Sequence, residues 1–332
     1  MINNILASIN FQTNRFMKYF LIALLLISAC KTPIVPAIPA VKEVIIESDE
    51  GHIHGSLLLP ADTSKPFPIV IIIAGSGPTD RNCNQAGMKS DAFKMLADSL
   101  AKSGIASYRY DKRGVGASNN YKMSEAELRF DDFVTDAVAV INHFNTDKRF
   151  SKIIVAGHSE GALLGLLACK QTTVTAYISM CGAGRTIGVV MKEQLAKQPD
   201  AIKNECNRII DSLINGVVVK NVTPMLATMF RESVQPYLIS WMKYDPAKEF
   251  AELKIPSLVI EGDSDVQVSV LDAETLKNAN PNTQYKIVAG MNHVLKSGFK
   301  NRDENLASYN KPEVPISSDF VKTVTDFILG LK

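Results

Sequence analysis

The sequence predicts an α/β protein: a mostly parallel central sheet with helices on both faces and a helical segment inserted in its second half. Strand and helix patterns alternate along the chain, as successive β-α-β units require. The strands in the middle are apolar at almost every position, which fits strands buried on both faces. From about Thr186 to Phe250 the strand rhythm lapses and only helical spacing remains. Of the 332 residues, 46% are hydrophobic and 21% charged, enough for a large core and unlike a disordered or fibrous chain. Thirty-six basic residues stand against 34 acidic ones, with no block of like charge. That balance lacks the basic surplus phosphate contacts need, so no nucleic-acid partner is expected.

The amino-terminal residues read as a targeting segment. YFLIALLLISA, from Tyr19 to Ala29, is uncharged and follows Lys18. It falls short of the roughly 20 apolar residues of a membrane-spanning helix and fits the apolar core of a secretory signal peptide. It ends Ile27-Ser28-Ala29-Cys30, which resembles the bacterial lipoprotein signal, where the cysteine becomes the lipidated first residue. Residues 1–29 are therefore expected to be a removable signal. Cys30 would then anchor the exported protein to a membrane of the cell envelope. A cleaved signal with an incidental cysteine is the plainer alternative. Met17-Lys18 offers a second start, which would make residues 1–16 an over-extended amino terminus. Removing 1–29 leaves 34 basic and 34 acidic side chains, so membrane association would rest on the lipid. Residues 30–40, with three prolines, read as an extended tether.

Two strand patterns, Val41–Ser48 and Ile53–Leu59, flank Asp49-Glu50-Gly51, whose turn chemistry favours an antiparallel hairpin. Phe67–Ala74 (FPIVIIIA) is a buried strand. Asp91–Ser103 carries Phe93, Leu96 and Leu100 at helical spacing and stops at Gly104, a capping glycine. Ile105–Asp111 is a strand, Phe130–Asn145 a helix, Lys152–Ala156 a strand, Ala162–Lys170 a helix and Val174–Met180 a strand. Residues 186–250 are expected to form a helical cap, leaving 41–185 and 251–332 as one α/β core. Ser257–Gly262 and Gln284–Val288 resume the strands, and Ser318–Leu331 closes with a helix.

The chemistry concentrates at strand ends. Gly157-His158-Ser159-Glu160-Gly161 lies between a buried strand and an apolar helix, the context of a nucleophile elbow. A turn that sharp brings neighbouring backbone close, so small residues are needed two positions either side of Ser159. The serine then stands at the N-terminus of a helix whose dipole favours negative charge. A serine hydroxyl needs a base within reach. His52 and His54 belong to the hairpin, His143 to a helix end, and His158 is fixed on the turn itself. His293, in Gly290-Met291-Asn292-His293 after the last strand, is on the correct edge. Asp263 and Asp265 both follow the strand ending at Gly262; Asp265 is favoured because it has cleared the strand, with Asp263 left for loop backbone donors. Asp272 begins the next helix and reads as surface. An oxyanion hole needs two backbone donors, assigned to Glu160 and to Ser76 in the loop Gly75–Asn82. Asp80 and Arg81 pair to brace that loop, with Arg81 binding an acidic substrate as the alternative. Of the five cysteines, Cys83, Cys169, Cys181 and Cys206 show no metal-ligand spacing. Export would permit disulfides, but Cys169 and Cys181 sit in apolar stretches and read as buried thiols. No cofactor or metal is called for.

These motifs resemble the α/β-hydrolase superfamily, in particular the serine aminopeptidase S33-like and bacterial esterase group. The matching stretches are GSGPTDRN (75–82), RYDKRGVGAS (109–118), GHSEG (157–161), GDSDVQV (262–268) and GMNHVLK (290–296). The resemblance implies an α/β-hydrolase fold with a helical cap and Ser159, Asp265 and His293 as the triad. It also implies that Arg109–Ser118 shapes the floor of the site. Ala74 stands where a histidine often precedes the oxyanion glycine.

The expected activity is hydrolysis of small carboxylic esters through an acyl-enzyme on Ser159. An aminopeptidase, amidase or thioesterase on the same triad is the alternative within the class; the aminopeptidase would need carboxylates for a free amino terminus, for which Glu193, Glu205 and Glu232 are the candidates. A catalytically silent, ligand-binding surface lipoprotein is the alternative outside it. Met225, Leu226, Met229, Phe230, Tyr237, Leu238 and Trp241 either line an acyl pocket or pack the cap onto the core.

Overall fold

A computed structural model describes residues 41–49 and 51–332; the signal segment, Cys30 and the tether lie outside them. The strands are β1 (Val41–Ser48), β2 (Gly51–Leu58), β3 (Phe67–Ile73), the short ribbon β4 (Asn84–Gln85) and β5 (Met88–Lys89), β6 (Ala106–Tyr110), β7 (Phe150–His158), β8 (Ala176–Met180), β9 (Ser257–Gly262) and β10 (Gln284–Val288). Eight of them form one sheet in the order β1-β2-β6-β3-β7-β8-β9-β10. From β6 to β10 every neighbouring pair is parallel. Strand β2 runs against both of its neighbours.

Strand β3 shows why its sequence is apolar throughout. Ile69, Ile71 and Ile73 join one core cluster, on the side of α2 (Phe130–Asn145) and α3 (Glu160–Cys169). Val70, Ile72 and Ala74 join the other, with Phe93, Leu96 and Leu100 of α1 (Ala92–Lys102). Successive strand residues point to opposite faces, so a strand in a sheet covered twice favours apolar side chains at consecutive positions. Helix α3 is buried along its whole length, and the all-apolar ALLGLLAC follows from that.

Between β8 and β9 the described chain is helical: α4 (Ile187–Leu195), α5 (Asp200–Ile214), α6 (Ala227–Phe230), α7 (Gln235–Trp241) and α8 (Pro246–Ala251). Leu226, Phe230, Tyr237, Leu238 and Trp241 are buried here, and Trp241 stacks on Phe130 with ring centroids 5.4 Å apart. Met225 and Met229 remain exposed, at 73% and 39%. Five of the seven apolar residues thus fasten these helices to the core. The chain finishes with α9 (Val270–Ala279), α10 (Arg302–Ala307) and α11 (Ser318–Leu329). Asp272, expected at the surface, is fully buried: it accepts from the Ser269 hydroxyl at the start of α9 and pairs with Arg185 Nη2 at 2.7 Å. No described helix is long and apolar enough to cross a membrane.

Candidate active site

Because β3, β7, β9 and β10 run the same way, the loops that follow them leave the same edge of the sheet. Those loops carry Ser76, Ser159, Asp265 and His293.

Ser159 sits between β7 and α3 with φ 54° and ψ −121°. A non-glycine residue at positive φ is strained, and such strain gathers at functional positions. A Cβ on Gly157 would lie 2.0 Å from the Gly161 carbonyl oxygen, and one on Gly161 would lie 2.4 Å from that of Ile73. Both clashes are with backbone, so the turn admits only glycine at these two places. The loop after β3 comes equally near: a Cβ on Gly75 would sit 3.0 Å from Ser159 Cβ.

His293 Nδ1 and Asp265 Oδ2 are 2.6 Å apart. A carboxylate only accepts, so Nδ1 carries the proton and Nε2 is left as the base. Asp265 also accepts from the N–H groups of Gln267 (2.7 Å) and Val268 (3.0 Å). Burial raises its pKa, but the His293 charge and these hydrogen bonds outweigh burial and hold it below the ordinary value. Asp263 instead accepts from the N–H of Gly290 at 2.6 Å, tying the two loops together. Ser159 Oγ makes no hydrogen bond among the described residues; the serine–imidazole contact is the one link of the relay not formed here. Such contacts commonly tighten only when substrate binds.

His158 is a brace. Its Nε2–H donates to the His293 carbonyl oxygen (2.7 Å), and the two rings lie 4.7 Å apart. Burial, followed by the neighbouring His293, lowers its pKa to about 3, so it stays neutral and offers no second base. Helix α10, absent from the sequence reading, buttresses the same loop. Asn305 Nδ2 donates to the Ser264 carbonyl (2.7 Å), and Asn292 Nδ2 donates to Asn305 Oδ1 (2.9 Å).

Ligand atoms of His158, Cys181 and His293 come within 4.8 Å of one another, as do those of Cys181, Glu261 and Asp265. Each imidazole hydrogen-bonds through one ring nitrogen, His158 Nδ1 is buried without a partner among the described residues, and burial keeps the Cys181 thiol protonated. All four described cysteines are buried free thiols.

Glu261, at the end of β9, is a second carboxyl beside Asp265, and sequence alone did not mark it. Burial, then the Asp265 charge, holds its pKa well above the ordinary 4.5. Above pH 4.5 the unfolded chain loses a proton that the folded chain keeps, so this group's stabilisation is lost as pH rises. Glu261→Gln is therefore expected to raise the melting temperature at about pH 8.5, by roughly 3 °C or more, and to leave it unchanged near pH 4.5. Melting curves at both pH values check this; equal shifts at the two would remove Glu261 as the cause.

The segment 109–118 is a hub of ion pairs. Asp111 pairs with Arg81 Nη2 (2.8 Å), and Arg113 pairs with Asp136 of α2 (2.7 Å). Arg81 also holds Glu43 of β1 at 2.7 Å. It braces the loop after β3, though not through Asp80. Asp80 accepts from the N–H groups of Asn82 and Asn84 (both 2.8 Å), the usual way an aspartate closes its own turn. Lys112, between Asp111 and Arg113, donates to the Gly75 carbonyl (2.6 Å) and to Glu160 Oε1 (2.9 Å).

Known proteins resemble this chain in sequence and in fold. The family described as serine aminopeptidase, S33, matches residues 83–236, a stretch that includes Ser159 and stops short of Asp265 and His293. Esterase EstD of Thermotoga maritima is 27% identical over 258 residues, which is 74% of this chain and 58% of the esterase. The chain therefore spans less than two thirds of that relative. Among solved structures, Est1E of Butyrivibrio proteoclasticus with ferulic acid bound superposes with a TM-score of 0.60 at 16% identity, covering 87% of this chain and 98% of Est1E. The Pyrococcus furiosus esterase Pf2001 gives 0.54 at 16% identity, over 88% and 92% of the two chains.

Proposed function

This chain is an α/β-hydrolase by fold, and on that premise we propose that it is a serine hydrolase cleaving small carboxylic esters. The observation that carries the reading is the Asp265–His293 hydrogen bond at the strand edge where a strained Ser159 is presented. The Ser159 hydroxyl gives its proton to His293 Nε2 as its oxygen attacks the ester carbonyl. The N–H groups of Ser76 and Glu160 receive the oxyanion. His293 returns the proton to the departing alkoxide, releasing an alcohol and leaving the acyl group on Ser159. Water, deprotonated by the same imidazole, then releases the acid and restores the serine.

Esters are favoured over peptides with a free amino terminus because the candidate amine-binding carboxylates are engaged elsewhere. Glu193 pairs with Arg185, Glu205 with Arg208, and Glu232 accepts from the Asn221 N–H. The expected result is turnover of p-nitrophenyl acetate at least about tenfold above amino-acid p-nitroanilides in kcat/KM. Faster anilide cleavage would replace the esterase reading with the aminopeptidase one. No turnover of either, together with no fluorophosphonate labelling of Ser159, would favour the silent ligand-binding protein.

In this reading the helices between β8 and β9 act as the cap over the substrate. The apolar run ending at Cys30 acts as a lipoprotein signal, which puts the enzyme on a membrane of the cell envelope. The mass of the mature amino terminus, with or without a diacylglycerol adduct, decides that last point.

A further inference from the structure

We propose that Lys112 is the positioning residue of the oxyanion hole, an inference that rests on the serine-hydrolase reading above. Its side chain is 3% exposed and its partner Glu160 is 1% exposed, so neither charge serves the surface. The ammonium donates to the Gly75 carbonyl at 2.6 Å and to Glu160 Oε1 at 2.9 Å, and the Phe133 ring covers it with its centroid 5.2 Å from Nζ.

The two acceptors belong to the two places that supply the oxyanion donors. The Gly75 carbonyl shares one planar peptide with the Ser76 N–H, so holding the oxygen sets the direction of the hydrogen. A cation on that oxygen also polarises the peptide and strengthens its N–H as a donor. Glu160 gives the other N–H from the first position of α3, where the helix provides it no partner. Its carboxylate is tied through Lys112 to the loop after β3. One side chain thereby sets the separation of two donors on segments that meet only in the folded protein.

Lys112→Met is expected to lower kcat by about 10²–10³, the loss typical of one oxyanion donor, with KM changed less than about threefold. The inhibition constant of a trifluoromethyl ketone, whose adduct carries the same oxyanion, should rise by the factor that kcat/KM falls. Because the single variant strands Glu160, the double variant Lys112→Met, Glu160→Gln removes both charges together. It should fold and remain as slow as the single variant. Recovery of kcat to within about fivefold of the parent in the double variant, or a weakened KM with kcat intact, would overturn the proposal. Parent enzyme that neither turns over esters nor labels at Ser159 would instead fail the underlying reading, so the two failures are distinguishable.

Discussion

Ser159→Ala is expected to lower kcat for p-nitrophenyl acetate by about 10⁶, judged from the equivalent loss in a serine protease. Fluorophosphonate labelling should disappear, and the melting temperature should stay within a few degrees. The size of the loss follows from the lack of a substitute nucleophile. The Cys181 thiol, which comes within 4.8 Å of a His293 ring nitrogen, is buried and held protonated, so it cannot attack a carbonyl. What survives should be the contribution of the oxyanion donors and binding, about 10³ over the uncatalysed reaction. Activity within tenfold of the parent would mean that the acyl group is carried elsewhere.

Asp265→Asn is expected to lower kcat by about 10⁴ with little change in KM. The amide can turn its NH₂ toward His293 Nδ1, which forces the proton onto Nε2 and leaves the ring unable to accept from serine. The Gln267 and Val268 N–H groups can still find the remaining oxygen, so the loop should hold its shape. Asp263→Asn supplies the contrast: Asp263 accepts from the Gly290 N–H rather than from His293, and its loss should lower kcat less than about tenfold. Paired measurements of kcat for the two variants check this, and the opposite ranking would transfer the orienting role to Asp263.

What the sequence made legible was whatever local sterics and burial dictate. FPIVIII could only be a strand covered on both faces, and Gly157 and Gly161 could only flank a turn too tight for a Cβ. Strand order along the chain then put Ser159, Asp265 and His293 on one edge without any knowledge of contacts. The rest depends on partners distant in sequence. Lys112 looked like one more residue of a structural motif, since its acceptors lie in two other loops. Asp272 had the pattern of an exposed helix start, and its burial is explained by the distant Arg185 and Gly184 N–H together with Ser269. Arg81 was recognisable as a brace, but Asp111 and Glu43 rather than its neighbour Asp80 receive it. The apolar residues of 225–241 announced burial without saying against what; Tyr237 and Trp241 turned out to pack on Phe130.

The ties among the edge loops have a dynamic consequence. His158 holds the backbone of the His293 loop, Asn305 holds that of the Asp265 loop, and Lys112 joins the Gly75 loop to the start of α3. Each loop is restrained by another as well as by the sheet. Amide hydrogens in the four segments should therefore exchange with solvent at one shared slow rate, because a local opening that frees one loop has to break its tie to the next. A chain fastened in this way gives up its catalytic geometry in a single cooperative step.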